Sequence, residues 1–338
     1  MERSIDIGVL GAGSFGTALA KLLADKGHTV TLWTRAEAAA RAMQDSRENA
    51  RYLPGARLPD NLRVTHDLGD AIAGRPLVLT VAPSHATRET LRAARAHFGA
   101  DTIVVSASKG IENESLATMD EVLAAELPPG PAARTAFLSG PSFAKEVAAG
   151  LPTAVVAAAR DASVATAVQT AFATDRLRVY TETDVIGVEL GGALKNVIAI
   201  AAGMGDGLGF GHNTRAAVIT RGLAEISRLG VRMGASPLTF MGLAGMGDLV
   251  LTCTGDLSRN RSVGLALGRG QTLAQILADM KGQVAEGVKT TRSARDLARK
   301  LGVEMPITEA MYAVLYEDRP ARQAVSDLMG RAQKHERG

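Results

Sequence analysis

Residues 5–35 read IDIGVLGAGSFGTALAKLLADKGHTVTLWTR, and the order of textures in this stretch decides the fold. Ile5–Leu10 is an apolar run of the kind that forms a buried strand. Gly11-Ala12-Gly13-Ser14-Phe15-Gly16 follows at once, Phe15–Lys26 carries helical periodicity, and Thr29–Trp33 is a second apolar run. A G-x-G-x-x-G string is weak evidence alone. Set between a strand and a helix, with another strand after it, it predicts a dinucleotide-binding turn. Gly11 permits the tight turn, Gly13 lets backbone approach a pyrophosphate, and Gly16 lets helix and strand pack closely. The helix N-terminus adds unpaired N–H groups and the positive end of its dipole.

The same alternation continues outward. Leu77–Val81, Ile103–Ser106, Thr135–Ser139, Ala154–Ala158 and Arg178–Thr181 read as strands, and Thr87–Ala96 and Ser115–Leu127 as helices. Residues 127–133, LPPGPAA, read as a loop. Continuous apolar strands separated by helices predict a mostly parallel sheet with helices on both faces. After about Asp184 strand-like runs give way to helical periodicity. Residues 186–204 predict one long apolar helix, and residues 213–230 a second, opened by Asn213 or Thr214 and closed by Gly230. Ser236-Pro237 and Met305-Pro306 place proline where helices begin. The expectation is an α/β Rossmann-type NAD(P)-binding domain over residues 1–187 and an all-α substrate-binding domain over residues 188–338.

Bulk composition agrees with two globular domains. Hydrophobic residues make up 46% and charged residues 22% of the 338, against the disordered class. The 38 basic and 35 acidic side chains are interspersed, leaving a net charge of +3. With no basic run and no aromatic interleaving, nucleic acid is not an expected partner. The longest apolar stretches, such as Val197–Ala202, fall short of the ~20 residues a membrane span needs, so no membrane insertion is expected. A lone cysteine, Cys253, suits a reducing compartment, and the opening segment leaves no room for a signal peptide, so a cytoplasmic location is expected. The six histidines, at 28, 66, 85, 97, 212 and 335, show no metal-ligand spacing, so no metal is expected.

Beyond the glycine loop, NAD sites usually carry an acid after the second strand to hold the ribose diol. Thr34 and Arg35 stand there. An arginine suits a 2′-phosphate, which favours NADPH with NADH still usable; the other reading makes Arg35 a solvated charge and gives the diol to Glu37. Four polar islands interrupt apolar or glycine-rich sequence: SASKGIE with Lys109, SGPSFAKEV with Gly140, Ser142 and Lys145, Lys195-Asn196 inside the long helix, and GDLVLTCTGDLSRNRS with Asp248 and Ser258-Arg259-Asn260. Lys195 is either snorkelling to the surface or placed for proton exchange with a carbonyl or hydroxyl oxygen. Ser258-Arg259-Asn260 is either a phosphate site at a helix start or a capped, solvated helix end. Cys253, beside threonines, reads as space-filling.

Taken together, GAGSFGTALA (11–20), SGPSFAKEVAAGLPTA (139–154), IGVELGGALKNVIAIAAGM (186–204), GLAGMGDLVLTC (242–253), SRNR (258–261) and GVEMPITEAMYAVLY (302–316) resemble the bacterial NAD(P)-dependent glycerol-3-phosphate dehydrogenases, from Ile7 to about Ala332. The resemblance implies reversible reduction of dihydroxyacetone phosphate by NAD(P)H to sn-glycerol 3-phosphate, the precursor of phospholipid backbones, and a homodimer. It implies coenzyme contacts at Ser14, Phe15, Arg35, Lys109, Ala144, Arg259, Val284 and Glu286, and substrate contacts at Lys109, Gly140, Ser142, Lys195, Asp248, Ser258, Arg259 and Asn260. Lys195 matches the family's proton acceptor. Two other readings stay open here: a dehydrogenase of the same architecture for another substrate, such as a β-hydroxy acid, and a non-catalytic NADPH-binding sensor.

Overall fold

The computed structural model describes residues 4–280, 285–333 and 335–336. Its strands, in chain order, are β1 (Asp6–Leu10), β2 (Thr29–Trp33), β3 (Glu48–Asn49), β4 (Leu53–Arg57), β5 (Leu62–Thr65), β6 (Leu77–Thr80), β7 (Ile103–Ser106), β8 (Thr135–Ser139), β9 (Thr153–Ala158) and β10 (Leu177–Glu182). Eight of them form one sheet in the order β10-β9-β8-β7-β6-β1-β2-β5, while β3 and β4 make a separate hairpin. Neighbours are parallel except β8 and β9, which pair antiparallel, so β9 and β10 run against the other six. Ile7, Val9, Leu10, Leu77, Val78 and Leu79 are buried because helices cover both faces, which is why these strands read as unbroken apolar runs.

All seven expected strands are present. β5 and the hairpin were not foreseen. β5 is a four-residue edge strand, and β4 contains Pro54-Gly55, which reads as a turn.

Several helix boundaries differ from expectation for local reasons. The helix expected from Ser115 spans Met119–Glu126, because Thr118 and Glu121 close a capping box and Leu116 holds a positive φ of 60°. Residues 129–132 form a single helical turn where a loop was expected. The helix expected over 213–230 spans His212–Arg232 with Gly211 at its cap, not Asn213 or Thr214. Gly230 does not end it. A Cβ there would lie 2.2 Å from Phe240 Cζ, so its role is close packing, and the left-handed residue is Gly234 at φ +96°. Pro306 opens the helix Pro306–Tyr316 as expected, but Ser236-Pro237 leads only to one 3-10 turn, Thr239–Met241.

The chain after the sheet is helical and packs around one long helix, Val185–Gly207, capped by Asp184. This corrects the expectation from apolar run length. At 23 residues the helix is long and apolar enough to cross a membrane by length and composition, yet 89% of its most apolar window is buried inside the protein. It is a core helix. The helix Arg259–Gly268 crosses it in backbone contact. Cβ atoms at Gly203 and Gly264 would lie 2.0 Å from Arg261 O and Ile200 O respectively, so glycine at both sets the crossing distance.

Candidate active site

The glycine loop is built for an anion. Gly11 has φ +121°, and a Cβ on Gly16 would sit 1.9 Å from Gly11 O, so neither position admits a side chain. A Cβ on Gly13, by contrast, meets nothing within 4 Å. Gly13 caps the helix Ser14–Asp25 with no side-chain hydrogen bond, which leaves the N-terminal N–H groups facing that open space. The unforeseen hairpin steadies the loop. The buried Asn49 carboxamide donates to Ala12 O (2.9 Å) and Thr17 Oγ1 (2.8 Å), and Ser14 Oγ donates to Tyr52 O (2.7 Å). An uncapped helix start beside a glycine with free space fits a pyrophosphate, so the residues present fit a dinucleotide coenzyme.

Around this loop Phe15 is partly buried, and Ala144 opens the short helix Ala144–Ala148 packed beside the first helix. Arg35, past the end of β2, is exposed, and Glu37 is ion-paired with Arg41 at 2.5 Å. Glu286 opens the helix Glu286–Leu301, where burial pushes its carboxyl up and the Arg259 and Lys109 charges pull against that shift. Val284 lies outside the described residues.

Three charged side chains meet at the edge where the sheet joins the long helix. Lys109 follows β7, Lys195 rides the long helix, and Asp248 opens the helix Asp248–Thr254 after a π-helical turn at Leu243–Gly247. Lys109 Nζ donates to Asp248 Oδ2 (2.6 Å); Lys195 Nζ donates to Asp248 Oδ1 and to Thr252 Oγ1 (2.9 Å). The side chains of Lys195 and Asp248 are 9% and 1% exposed, so Lys195 does not snorkel. Burial pulls the Lys195 ammonium down to about 8 against the opposing pull of Asp248. Burial alone would raise Asp248, but the two ammonium groups outweigh it and hold the carboxyl below its usual range. The result is a lysine able to give or take a proton near neutral pH.

Two further segments abut this cluster. A Cβ on Gly192 would lie 2.8 Å from Ser139 Oγ and 3.6 Å from the Lys109 stem, which sets the 139–142 turn beside it. In that turn Gly140 has φ +135° and Ser142 Oγ donates to Gly140 O (3.0 Å). From the other side, Asn260 Nδ2 donates to Asn196 Oδ1 (2.9 Å), next to Lys195, and Asn260 Oδ1 accepts from Gly287 N (2.9 Å). Ser258 caps its helix by accepting from Arg261 N (3.2 Å), while Arg259 is exposed at the helix start. Arg261 and Arg215 both pair with Asp206 near the end of the long helix, which fixes the Ser258–Asn260 turn to the element that carries Lys195.

Comparison with known proteins agrees with this geometry. The profile described as NAD-dependent glycerol-3-phosphate dehydrogenase N-terminus matches residues 6–165, and the corresponding C-terminus profile matches residues 184–326. The chain belongs to this family. The glycerol-3-phosphate dehydrogenase [NAD(P)+] of Citrifermentans bemidjiense is 59% identical over 330 residues, 98% of each chain. That of Geobacter sulfurreducens is 59% identical over 331 residues, again 98% of each. The crystal structure of glycerol-3-phosphate dehydrogenase from Coxiella burnetii superposes with a TM-score of 0.93 at 42% identity, covering 97% of this chain and 99% of that one. The chain is thus an NAD(P)-dependent oxidoreductase with a Rossmann-type domain followed by a helical domain, and the sensor and hydroxy-acid readings give way.

For a member of this family, the sequence singled out Asn196 beside Lys195 without giving it a role, and did not point to Thr252 or Asn49 as working parts. Thr252 had a signal: it lies four residues after Asp248 on one helix face, where its hydroxyl reaches Lys195. Asn49 had none, because its hairpin was not foreseen. Cys253 is inert, its thiol pushed up to about 12 by burial.

Proposed function

We propose that Lys195 is the proton donor and acceptor of this dehydrogenase and that Asp248, Lys109 and Thr252 hold it in place. The reaction is the reversible reduction of dihydroxyacetone phosphate by NAD(P)H to sn-glycerol 3-phosphate, which supplies the glycerophospholipid backbone. The reduced nicotinamide supplies the hydride. Negative charge then builds on the former carbonyl oxygen, and an ammonium within reach stabilises it and delivers the proton. The observation that carries this role is one buried carboxylate gripped by two lysines, with Lys195 pulled down to about 8. Burial favours the neutral amine left after transfer, so the proton is readily given and readily regained.

In this reading Gly140 and Ser142 line the pocket on the sheet side. Ser258, Arg259 and Asn260 take the substrate phosphate through a hydroxyl, a guanidinium and an amide fixed to the long helix. Gly11, Gly13, Ser14, Phe15, Gly16, Arg35, Lys109, Ala144, Arg259, Val284 and Glu286 hold the coenzyme, and the domains divide near residue 187. Arg35, with Glu37 engaged by Arg41, favours NADPH over NADH. A homodimer in the cytoplasm completes the proposal. Leu238, Met241, Met246, Val250 and Leu257 are exposed large apolar side chains on the helical domain, and patches of that kind mark interfaces.

The deciding assay follows absorbance at 340 nm with dihydroxyacetone phosphate, dihydroxyacetone and β-keto acids, each with NADPH and with NADH. Consumption only with the phosphorylated ketone is expected, with NADPH preferred by about tenfold, the scale of one charge-assisted hydrogen bond. Arg35→Asp should invert that preference. A wild type that prefers NADH, or a ratio that Arg35→Asp does not move, removes Arg35 from the coenzyme reading. Light scattering on the purified protein checks the dimer.

A further inference from the structure

Two cations and an imidazole come together at the coenzyme end of the sheet, and only one of the three has a role so far. Arg35 follows β2. His85 is the second residue of the helix Ser84–Ala94, which follows β6. Lys289 lies in the first turn of the helix Glu286–Leu301, on the helical domain. β2 and β6 flank β1 in the sheet, so Arg35 and His85 stand on either side of the glycine loop. Lys289 is brought in by a tight contact. A Cβ on Gly110 would lie 2.4 Å from Ser84 Oγ and 3.6 Å from Thr290 Oγ1, so the residues just before Thr290 and just after Ser84 are neighbours.

All three side chains are exposed, and none of them is ion-paired or hydrogen-bonded to a described residue. Elsewhere on the surface, cations such as Arg41, Arg63 and Arg160 sit on carboxylates. Here the charges that face His85 are Lys289 and Arg35, both positive. Burial first, and then those two charges, push its imidazole below the usual range, so in the free protein it is a neutral hydrogen-bonding group at neutral pH. Like charges gathered without a counterion are unfavourable by themselves and become favourable around a bound anion. In a doubly wound sheet the adenosine half of a dinucleotide lies at the end of β2, so the anion that reaches this place is the one on the adenine ribose.

We propose that His85 and Lys289 complete, with Arg35, a site of two cations and an imidazole for the 2′-phosphate of NADPH, and that Lys289 lets the helical domain read which coenzyme the Rossmann domain holds. This rests on the NADPH preference proposed above. The phosphate carries close to two negative charges at neutral pH, enough to neutralise a guanidinium and an ammonium. Such an anion sits between cations from both domains and favours their approach. NADH, which lacks it, leaves the repulsion uncompensated.

The test uses full-length protein and a probe without nicotinamide. Calorimetry compares adenosine 2′,5′-bisphosphate with adenosine 5′-monophosphate at fixed low ionic strength, for wild type, Lys289→Glu, Lys289→Arg, His85→Asn and Arg35→Asp. Thermal unfolding confirms that each variant is folded. Wild type should bind the bisphosphate more tightly than the monophosphate. Lys289→Glu should shrink that ratio about tenfold or more, because it removes a partner and adds repulsion. Lys289→Arg should hold the ratio within about threefold and His85→Asn should shrink it less than Lys289→Glu, a loss graded by charge. A Lys289→Glu ratio equal to wild type, or an equal loss for both nucleotides, overturns the proposal. If Arg35→Asp collapses the ratio while Lys289→Glu does not, only the part given to Lys289 and His85 fails. If neither moves it, or wild type binds both nucleotides alike, the NADPH reading fails with it.

Discussion

The glycine loop and the charged pocket, each proposed to hold a phosphorylated ligand, are made of different materials. The loop is made of backbone. Gly11, Gly13 and Gly16 lie within six consecutive residues, and their contribution is the space they leave and the N–H groups they expose. The pocket is made of side chains from four separated segments, with Lys109, Lys195, Asp248 and Asn260 spread over some hundred and fifty residues and joined by hydrogen bonds. A backbone site is rigid and indifferent to chemistry, since it binds whatever anion fits. A side-chain site can be tuned, as the depressed Lys195 shows. In the reading proposed above, the first region only binds, while the second binds and also moves the proton.

The largest test of that division is Lys195→Met. It should lower kcat by at least about a hundredfold, the scale of general acid–base catalysis, while NADH affinity in a folded protein stays close to wild type. A loss in kcat below about threefold would remove Lys195 from the chemistry. The reciprocal change is Gly13→Val. Its Cβ would point into free space, so thermal stability should hold, while NADH binding weakens about tenfold or more because the side chain occupies the pyrophosphate's place. Gly16→Val serves as contrast. With Gly11 O 1.9 Å from its Cβ, stability itself should fall. If Gly13→Val also unfolds the protein, the loop is structural rather than a binding surface. A smaller effect is expected from Arg259→Ala, which should raise KM for dihydroxyacetone phosphate and narrow its kcat/KM advantage over dihydroxyacetone by about tenfold, one charge-assisted contact. An unchanged ratio would take Arg259 off the phosphate.

The two regions also differed in how far the sequence revealed them. The loop was legible because its parts are adjacent and each glycine has a steric reason. The parallel sheet was legible because strands buried on both faces are apolar throughout. Residues alone left Lys195 between snorkelling and catalysis, since what decides it is Asp248, 53 positions away and brought near only by the packing of two helices. The antiparallel β8–β9 pair escaped because strand direction leaves no mark on local pattern. β5 and the Asn49 hairpin escaped because short, polar-flanked strands draw their stability from tertiary contacts rather than from periodicity. Gly230 misled because a glycine needed for packing against Phe240 looks the same as one that ends a helix.

The smallest effect sharpens the contrast within a single helix. Glu189 lies six residues before Lys195 on the same element, and it is also ionisable and half-buried, with Oε2 buried and unpartnered, but the cation nearest in charge to it, Arg160, is engaged by Asp120. Its Oε1 accepts from Asp120 N (2.9 Å) at the start of the helix Met119–Glu126, which belongs to the Rossmann domain. Burial pushes its carboxyl up to about 8, the Asp120 carboxylate adds to the shift, and the Asp120 N–H and Thr118 hydroxyl offset part of it. The folded protein therefore keeps this proton to higher pH than the unfolded chain, which releases it near 4.5. Between those values the native state binds more protons, so stability falls as pH rises from about 4.5 to about 8 and levels off above that. Glu189→Gln keeps an acceptor for the Asp120 N–H and cannot ionise. It should match wild type near pH 5 and exceed it at pH 8 by at least about 1 kcal/mol, the worth of a single pKa unit out of that shift. Denaturant unfolding at the two pH values reads the difference directly. Equal stabilities at both would mean that Glu189 ionises freely in the folded protein, and that Lys195 is then the only one of the two whose titration burial alters.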